Sequence, residues 1–83
     1  MYLVETDGQA KPQVDALPAE ALAPFAELRV VLETSPWTGR SINVRSNPDA
    51  AVRVLSFGSF GQVVYLILEE QRRVDILMVQ WAG

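Results

Sequence analysis

Four side chains in the second half of the chain have the types and spacing to handle a phosphodiester: Arg40, Arg45, Arg53 and Tyr65. Arg40 and Arg45 fall in TSPWTGRSINVRSNPD, the most basic stretch of the sequence, with only Asp49 opposing them. Arg53 and Tyr65 follow on the segments VRVLSF and QVVYLILE. The chain has no histidine and no cysteine. Without histidine, proton transfer near neutral pH falls to Tyr, Arg, Lys, Asp or Glu. That excludes serine hydrolase triads and two-histidine ribonuclease mechanisms. The absence of cysteine removes thiol catalysis, disulfides and cysteine-based zinc sites. What remains open to these cations is stabilisation of charge developing on a transferred phosphate.

Each candidate also has a plainer reading. Arg53 could pair across a sheet with Asp75 or Glu69, Arg40 and Arg45 could be solvated loop residues, and Tyr65 a half-buried strand aromatic. Trp37 and Trp81 could close the core and cover a sheet edge, or stack on bases. Glu69 and Glu70, next to Arg72 and Arg73, read as a charged hairpin turn; consecutive strand residues point to opposite faces, so no catalytic carboxylate pair is expected there, and no metal site is expected. The glycines of FGSFGQ, residues 57–62, precede VVYLILE, which has the composition of a strand. A phosphate-cradling glycine loop opens a helix instead. A hairpin is therefore expected, with Gly58 or Gly61 at positive φ, and no nucleotide cofactor.

An 83-residue chain with 49% apolar and 20% charged residues has the material for one packed domain spanning residues 1–83. The formal charge of −3 argues against wholesale non-specific nucleic-acid binding and restricts any such role to a local patch. No apolar run is long enough to span a bilayer, and MYLVETDGQ lacks the pattern of a secretory leader. A cytoplasmic protein without membrane contact is expected.

The elements that would position these residues can be read in order. YLVE reads as a short strand. Residues 6–17 carry Ala10, Val14 and Leu17 at near-helical spacing, with Thr6 as the N-cap and Pro12 in the first turn. Leu17-Pro18 ends that helix. Leu22, Phe25, Leu28 and Leu32 then line one face of a second, over 18–33, and Pro24 is expected to kink or divide it. A loop follows from Ser35 to about Ala50. VRVLSF, QVVYLILE and RVDILMVQW form a three-stranded antiparallel meander. The fold class is α+β: a strand, two helices, then the meander, in one sheet with helices on one face. Regular alternation puts Val52, Val54, Val64, Leu66, Leu68, Val74, Ile76 and Met78 against the helices. It leaves a mixed second face of Arg53, Leu55, Phe57, Val63, Tyr65, Ile67, Glu69, Asp75, Leu77, Val79 and Trp81, too apolar to stay open. A homodimer through that face is expected.

This order resembles the RelE/ParE-like toxin superfamily of bacterial toxin–antitoxin systems over essentially the whole chain. The resemblance is carried by the N-terminal strand, Leu17-Pro18 between the helices, Val52-Arg53 with Leu55, the VVYLI strand at 63–67 and the closing VDILMV strand at 74–79. PWTG at 36–39, Arg53 with Leu55 and Gly58, Tyr65, RRVD at 72–75 and Trp81 look like a small actinobacterial branch. It implies a metal-independent mRNA endonuclease, free or ribosome-dependent, or else a gyrase poison, and with either a cognate antitoxin protein. Carried over by position, Arg53 and Arg45 would hold the scissile phosphate with help from Arg40, and Tyr65 would act as proton donor or orienter. Trp37, Gln62, Gln80 and Trp81 would line the RNA-binding surface. The chain departs from the family where Gln62 replaces a frequent arginine and Gln80-Trp81 replaces a frequent His, Tyr or Arg. The lysine-rich second strand is also absent. The alternative is a non-catalytic interaction module.

Overall fold

The computed structural model describes residues 1–43, 45–47 and 49–83; Val44 and Pro48, inside the expected loop, lie outside the described residues. Its elements are β1 (Leu3–Thr6), α1 (Lys11–Asp15), α2 (Ala19–Thr34), a 3-10 turn (Pro36–Thr38), β2 (Arg40–Ser41), β3 (Val52–Phe57), β4 (Gly61–Leu68), a second 3-10 turn (Glu69–Gln71) and β5 (Arg73–Trp81). They build one five-stranded sheet in the order β1-β5-β4-β3-β2. β1 runs parallel to β5, and the other pairs are antiparallel. The expected α+β RelE-like arrangement is the one found. The segment expected to be all loop contributes β2, a two-residue edge strand.

Two local expectations change. Thr6 ends β1, where it registers with Ile76, and is not a helix cap. The chain instead turns at Asp7, whose carbonyl accepts the Ala10 N–H at 2.9 Å and whose carboxylate accepts the Gln9 N–H at 3.0 Å. Ala10 is the N-cap of α1, and Pro12 takes the first turn, where its missing N–H is not needed. α2 runs unbroken through Pro24. Pro24 lies in its second turn, so only the bond to the Glu20 carbonyl is lost, and Ala21, Phe25, Leu28 and Leu32 still bury one continuous face.

The larger correction concerns the sheet. The helix-facing side carries Arg53 and Phe57 from β3 and Val63, Tyr65 and Ile67 from β4, all buried. Val52, Val54, Val64, Leu66 and Leu68 are on the open side, each half-buried. The face expected to be exposed is the core, and the all-aliphatic face is the one that no helix covers. β5 contributes to both sets. Val64 registers with Met78 but Tyr65 with Ile76, so Leu77 is an extra residue in β5. That bulge shifts the alternation by one. Val74 and Ile76 before it and Val79 after it are all buried. The Val79 N–H, just past the bulge, is donated to Gln13 Oε1 of α1 at 2.7 Å. The FGSFG hairpin forms as expected, with Gly58 at φ 60°.

Candidate nucleic-acid interface

The surface around Arg40 is held from beneath by two buried polar side chains. Arg53 Nη1 donates to the Gly39 carbonyl at 2.7 Å, and the Tyr65 hydroxyl donates to the Pro36 carbonyl at 2.6 Å. Tyr65 is fully buried and Arg53 nearly so. Burial pushes the pKa of the Tyr65 hydroxyl up, so it stays a neutral donor. The Arg53 guanidinium also sits 4.7 Å from the centroid of the Trp37 ring, within cation–π range. Gly39 is required where it stands: a Cβ there would run into the Tyr65 hydroxyl and would lie 2.8 Å from the Val54 carbonyl oxygen. Residues 36–39 are thus pinned at two carbonyls, and the next residue is Arg40.

The two carboxylates that the sequence offered to Arg53 are engaged by other groups among the described residues. Asp75 is held by Arg73 through two bonds of 2.8 and 2.9 Å. The Glu69 carboxylate accepts from the Tyr2 hydroxyl at 2.6 Å, the Trp37 indole N–H at 2.8 Å and Arg72 at 2.6 Å. Those donors, Tyr2 first, hold its pKa down to about 2, and the same bond pushes that of Tyr2 up. Arg72, at φ 50°, closes the turn with its guanidinium 4.0 Å from the Tyr2 ring centroid. This network ties the N-terminus and the β4–β5 turn to Trp37. The sequence reading found the charged turn but had no signal for the contacts with Tyr2 and Trp37, which are 67 and 32 residues away from Glu69.

On the open side, Arg40 registers with Val54 and is exposed. Arg45, also exposed, lies in the following loop, which is shaped by Ser41. The Ser41 hydroxyl donates to the Asn47 carbonyl at 2.5 Å and accepts the Asn43 N–H at 3.2 Å. Arg40, Arg45, Ser41, Ile42, Asn43 and Val54 line one concavity of about 330 Å³. Among the described residues no carboxylate forms an ion pair with either arginine.

The remaining expected site residues lie elsewhere. Gln62 registers with Ser56 on one side and Gln80 on the other, forming an exposed polar row at the hairpin end of the open face. Trp81 packs on the core side against Phe57 and Phe60, at centroid distances of 5.6 and 5.9 Å. Trp37 is 41% exposed and caps Arg53 instead of plugging the helix end. The structure therefore brings Arg40 and Arg45 together and sets Gln62 beside Gln80, with Arg53 and Tyr65 under the sheet as supports. Ser56, the third member of the polar row, went unrecognised because an isolated strand serine carries no spacing signal.

No family model and no curated protein matches the sequence. Solved structures do. The isolated RelE toxin of E. coli superposes with a TM-score of 0.80 at 19% identity, covering 100% of this chain and 86% of that one. The toxin–antitoxin complex RelBE2 from Mycobacterium tuberculosis gives 0.79 at 23% identity, covering 98% of each chain. The archaeal RelE–RelB complex from Pyrococcus horikoshii gives 0.62 at 21% identity, covering 99% and 96%. The chain has the RelE fold from end to end. Among the described residues no helix is long and apolar enough to cross a membrane.

Proposed function

We propose that this chain is the toxin of a toxin–antitoxin pair and acts on RNA through the Arg40–Arg45 concavity. The observation that carries this reading is the pair of exposed arginines, unopposed by carboxylates among the described residues, on the open face of a RelE fold. Two guanidinium groups in one concavity suit a phosphodiester. They can hold it bidentately and stabilise the charge that grows on it during 2′-hydroxyl attack. Arg53 and Tyr65 act as positioning residues in this scheme. Of the two roles open to Tyr65, donor or orienter, its bond to the Pro36 carbonyl supports orienter. The aliphatic open face of Val52, Val54, Val64, Leu66 and Leu68 supports docking of an antitoxin segment, and the solved structures of the same fold include toxin–antitoxin complexes.

The test is RNA cleavage by purified protein in EDTA. Wild type is expected to cut, and Arg40→Ala with Arg45→Ala to lower the rate by two orders of magnitude or more. An undiminished rate in the double variant would remove the assignment. The same open face also favours a second reading, a non-catalytic binding module or a homodimer. Absence of cleavage and of growth arrest, together with a stable dimer in solution, would select it; loss of gyrase supercoiling activity on adding the protein would indicate the ParE-like alternative.

A further inference from the structure

The open face of the sheet ends in opposite charges at its two edges. Arg40 and Arg45 stand at the β2 edge, with Asp49 as the one acid in their loop. Glu5 and Asp7 stand at the β1 edge, both exposed, and Glu5 alternates with the buried Val4, which sets it on the open side. Arg73 and Asp75, on the neighbouring strand, are paired with each other. Between the edges the face is aliphatic, and Leu3, Ile42 and Met78 extend it while 60%, 57% and 41% exposed. The β1 and β2 edges are four strand spacings apart, about 19 Å. The arginines of one chain therefore cannot meet its own Glu5 and Asp7, but a second copy can bring these groups together.

A closed pair of identical faces needs a two-fold axis lying between the sheets. For sheets packed in near-alignment, about 10 Å apart, that axis runs either across the strands or along them. Across the strands, β2 covers β2 and Arg40 meets Arg40. Along the strands and over β4, the middle strand of five, β2 of each copy covers β1 of the other. Position along the strand is then kept, so Arg40, whose row runs through Val54, Val64 and Met78, comes down where β1 of the second copy ends in Glu5 and Asp7. Val64 and Leu66, both half-buried, meet their own counterparts at the centre. We propose that two copies pack about this second axis, and that each seats its Glu5 and Asp7 on the other's Arg40–Arg45 concavity. The dimer is then the closed form, and the monomer is the form open to RNA. The inference rests on the RNA reading above and adds its regulation. Five strands with about six residues each make a face of roughly 500 Å² per copy, on the order of 1,000 Å² in total. That is the lower limit of specific interfaces and suits a reversible dimer.

The test is sedimentation equilibrium of the full chain from about 1 µM to about 300 µM, beside RNA cleavage rates per protomer over the same range. Wild type is expected to dimerise with a dissociation constant on the order of 10 µM, weakened severalfold by raising the salt. Glu5→Arg and Arg40→Glu are each expected to weaken the homodimer about tenfold or more. An equimolar mixture of the two variants regains it, because each contact between positions 40 and 5 is then either native or charge-reversed. That recovery also shows that both variants are folded. Cleavage per protomer by wild type is expected to fall as the dimer forms, and that of Glu5→Arg to hold steady over the same range. A wild type that stays monomeric, or a dimer that Glu5→Arg leaves as tight, overturns the interface. Wild-type cleavage per protomer that holds steady through dimerisation overturns the closure. A dimer restored by mixing, with no cleavage by wild type at any concentration, removes the RNA reading and leaves the interface standing.

Discussion

Tyr65 and Val64 are neighbours on one strand and lie in opposite environments. On the helix side, the Tyr65 hydroxyl and the Arg53 guanidinium are buried and matched to the carbonyls of Pro36 and Gly39. On the open side, Val64, Val54 and Leu66 are half-buried, and no helix covers them. The Arg53 guanidinium and the Tyr65 hydroxyl are thus polar groups matched to carbonyls within an otherwise apolar interior, and aliphatic side chains form the open surface. The difference shows that a polar group does not by itself keep a strand face outside when a fixed carbonyl is within reach. A buried donor within reach of a fixed carbonyl is tolerated, and an aliphatic face with no helix to cover it stays exposed.

The comparison predicts its largest contrast at those two adjacent positions. Tyr65→Ala removes a fully buried ring and is expected to cost about 3–5 kcal/mol. Set against a total stability of about 5–15 kcal/mol for a small domain, that brings the protein close to unfolding. Val64→Ser is expected to change stability by about 0.5 kcal/mol or less, while weakening antitoxin binding. Urea denaturation midpoints of the two variants check this. Equal losses would mean that the open face is packed as tightly as the core.

A smaller effect separates the clamp from the ring that carries it. Tyr65→Phe and Arg53→Leu each leave a carbonyl without its donor and are expected to cost about 1–3 kcal/mol. Gly39→Ala forces a Cβ against Tyr65 and the Val54 backbone and is expected to cost a similar amount. All three should displace Arg40 and lower RNA affinity without touching the ligand. On the proposed RNA-cleaving function, Arg53→Ala is expected to reduce cleavage by misplacing the loop, with a residual activity that responds to temperature more steeply than that of wild type. A variant destabilised by this amount with wild-type RNA affinity would disconnect the clamp from the site.

The same clamp shows what the sequence makes legible. Element order was readable because each segment carries its own signal: 3.6-residue periodicity in Leu22, Phe25, Leu28 and Leu32, β-branched runs after Val52, and glycines in the hairpin. The facing of the sheet was not, because β3 and β4 carry apolar residues on both sides, so alternation identifies two faces without ranking them. A count of charges put Arg53 and Tyr65 outside, and only the long-range approach of Pro36 and Gly39 brings them in. The Leu77 bulge hid the phase change in β5, since Ile76 and Val79 are equally apolar. For the candidate site, the basic loop was visible as Arg40 and Arg45 unopposed by acid. The pairing of Gln62 with Gln80 depends on register across 18 residues, which no local pattern encodes.

The smallest expected effect concerns Glu69, which joins the two sides at their rim. Its carboxyl is held down to about 2 by Tyr2, Trp37 and Arg72, against an ordinary value of 4.5. Because the folded-state value is the lower one, the unfolded chain binds the proton first as pH falls. The contribution of Glu69 is therefore complete above about pH 4.5 and lost progressively toward about pH 2. In that window the thermal midpoint of wild type is expected to fall more steeply than that of Glu69→Gln, and the two curves should run parallel above it. The group is half exposed, so the difference is small in global stability and larger in local order. The bond from the Trp37 indole N–H loses its charged acceptor and weakens when Glu69 is protonated, and Trp37 is the residue stacked over Arg53. Loosening of the 36–39 segment, read from Trp37 fluorescence in a Trp81→Phe background, is expected at a higher pH than global unfolding. A fluorescence change that coincides with global unfolding would place Glu69 outside the clamp.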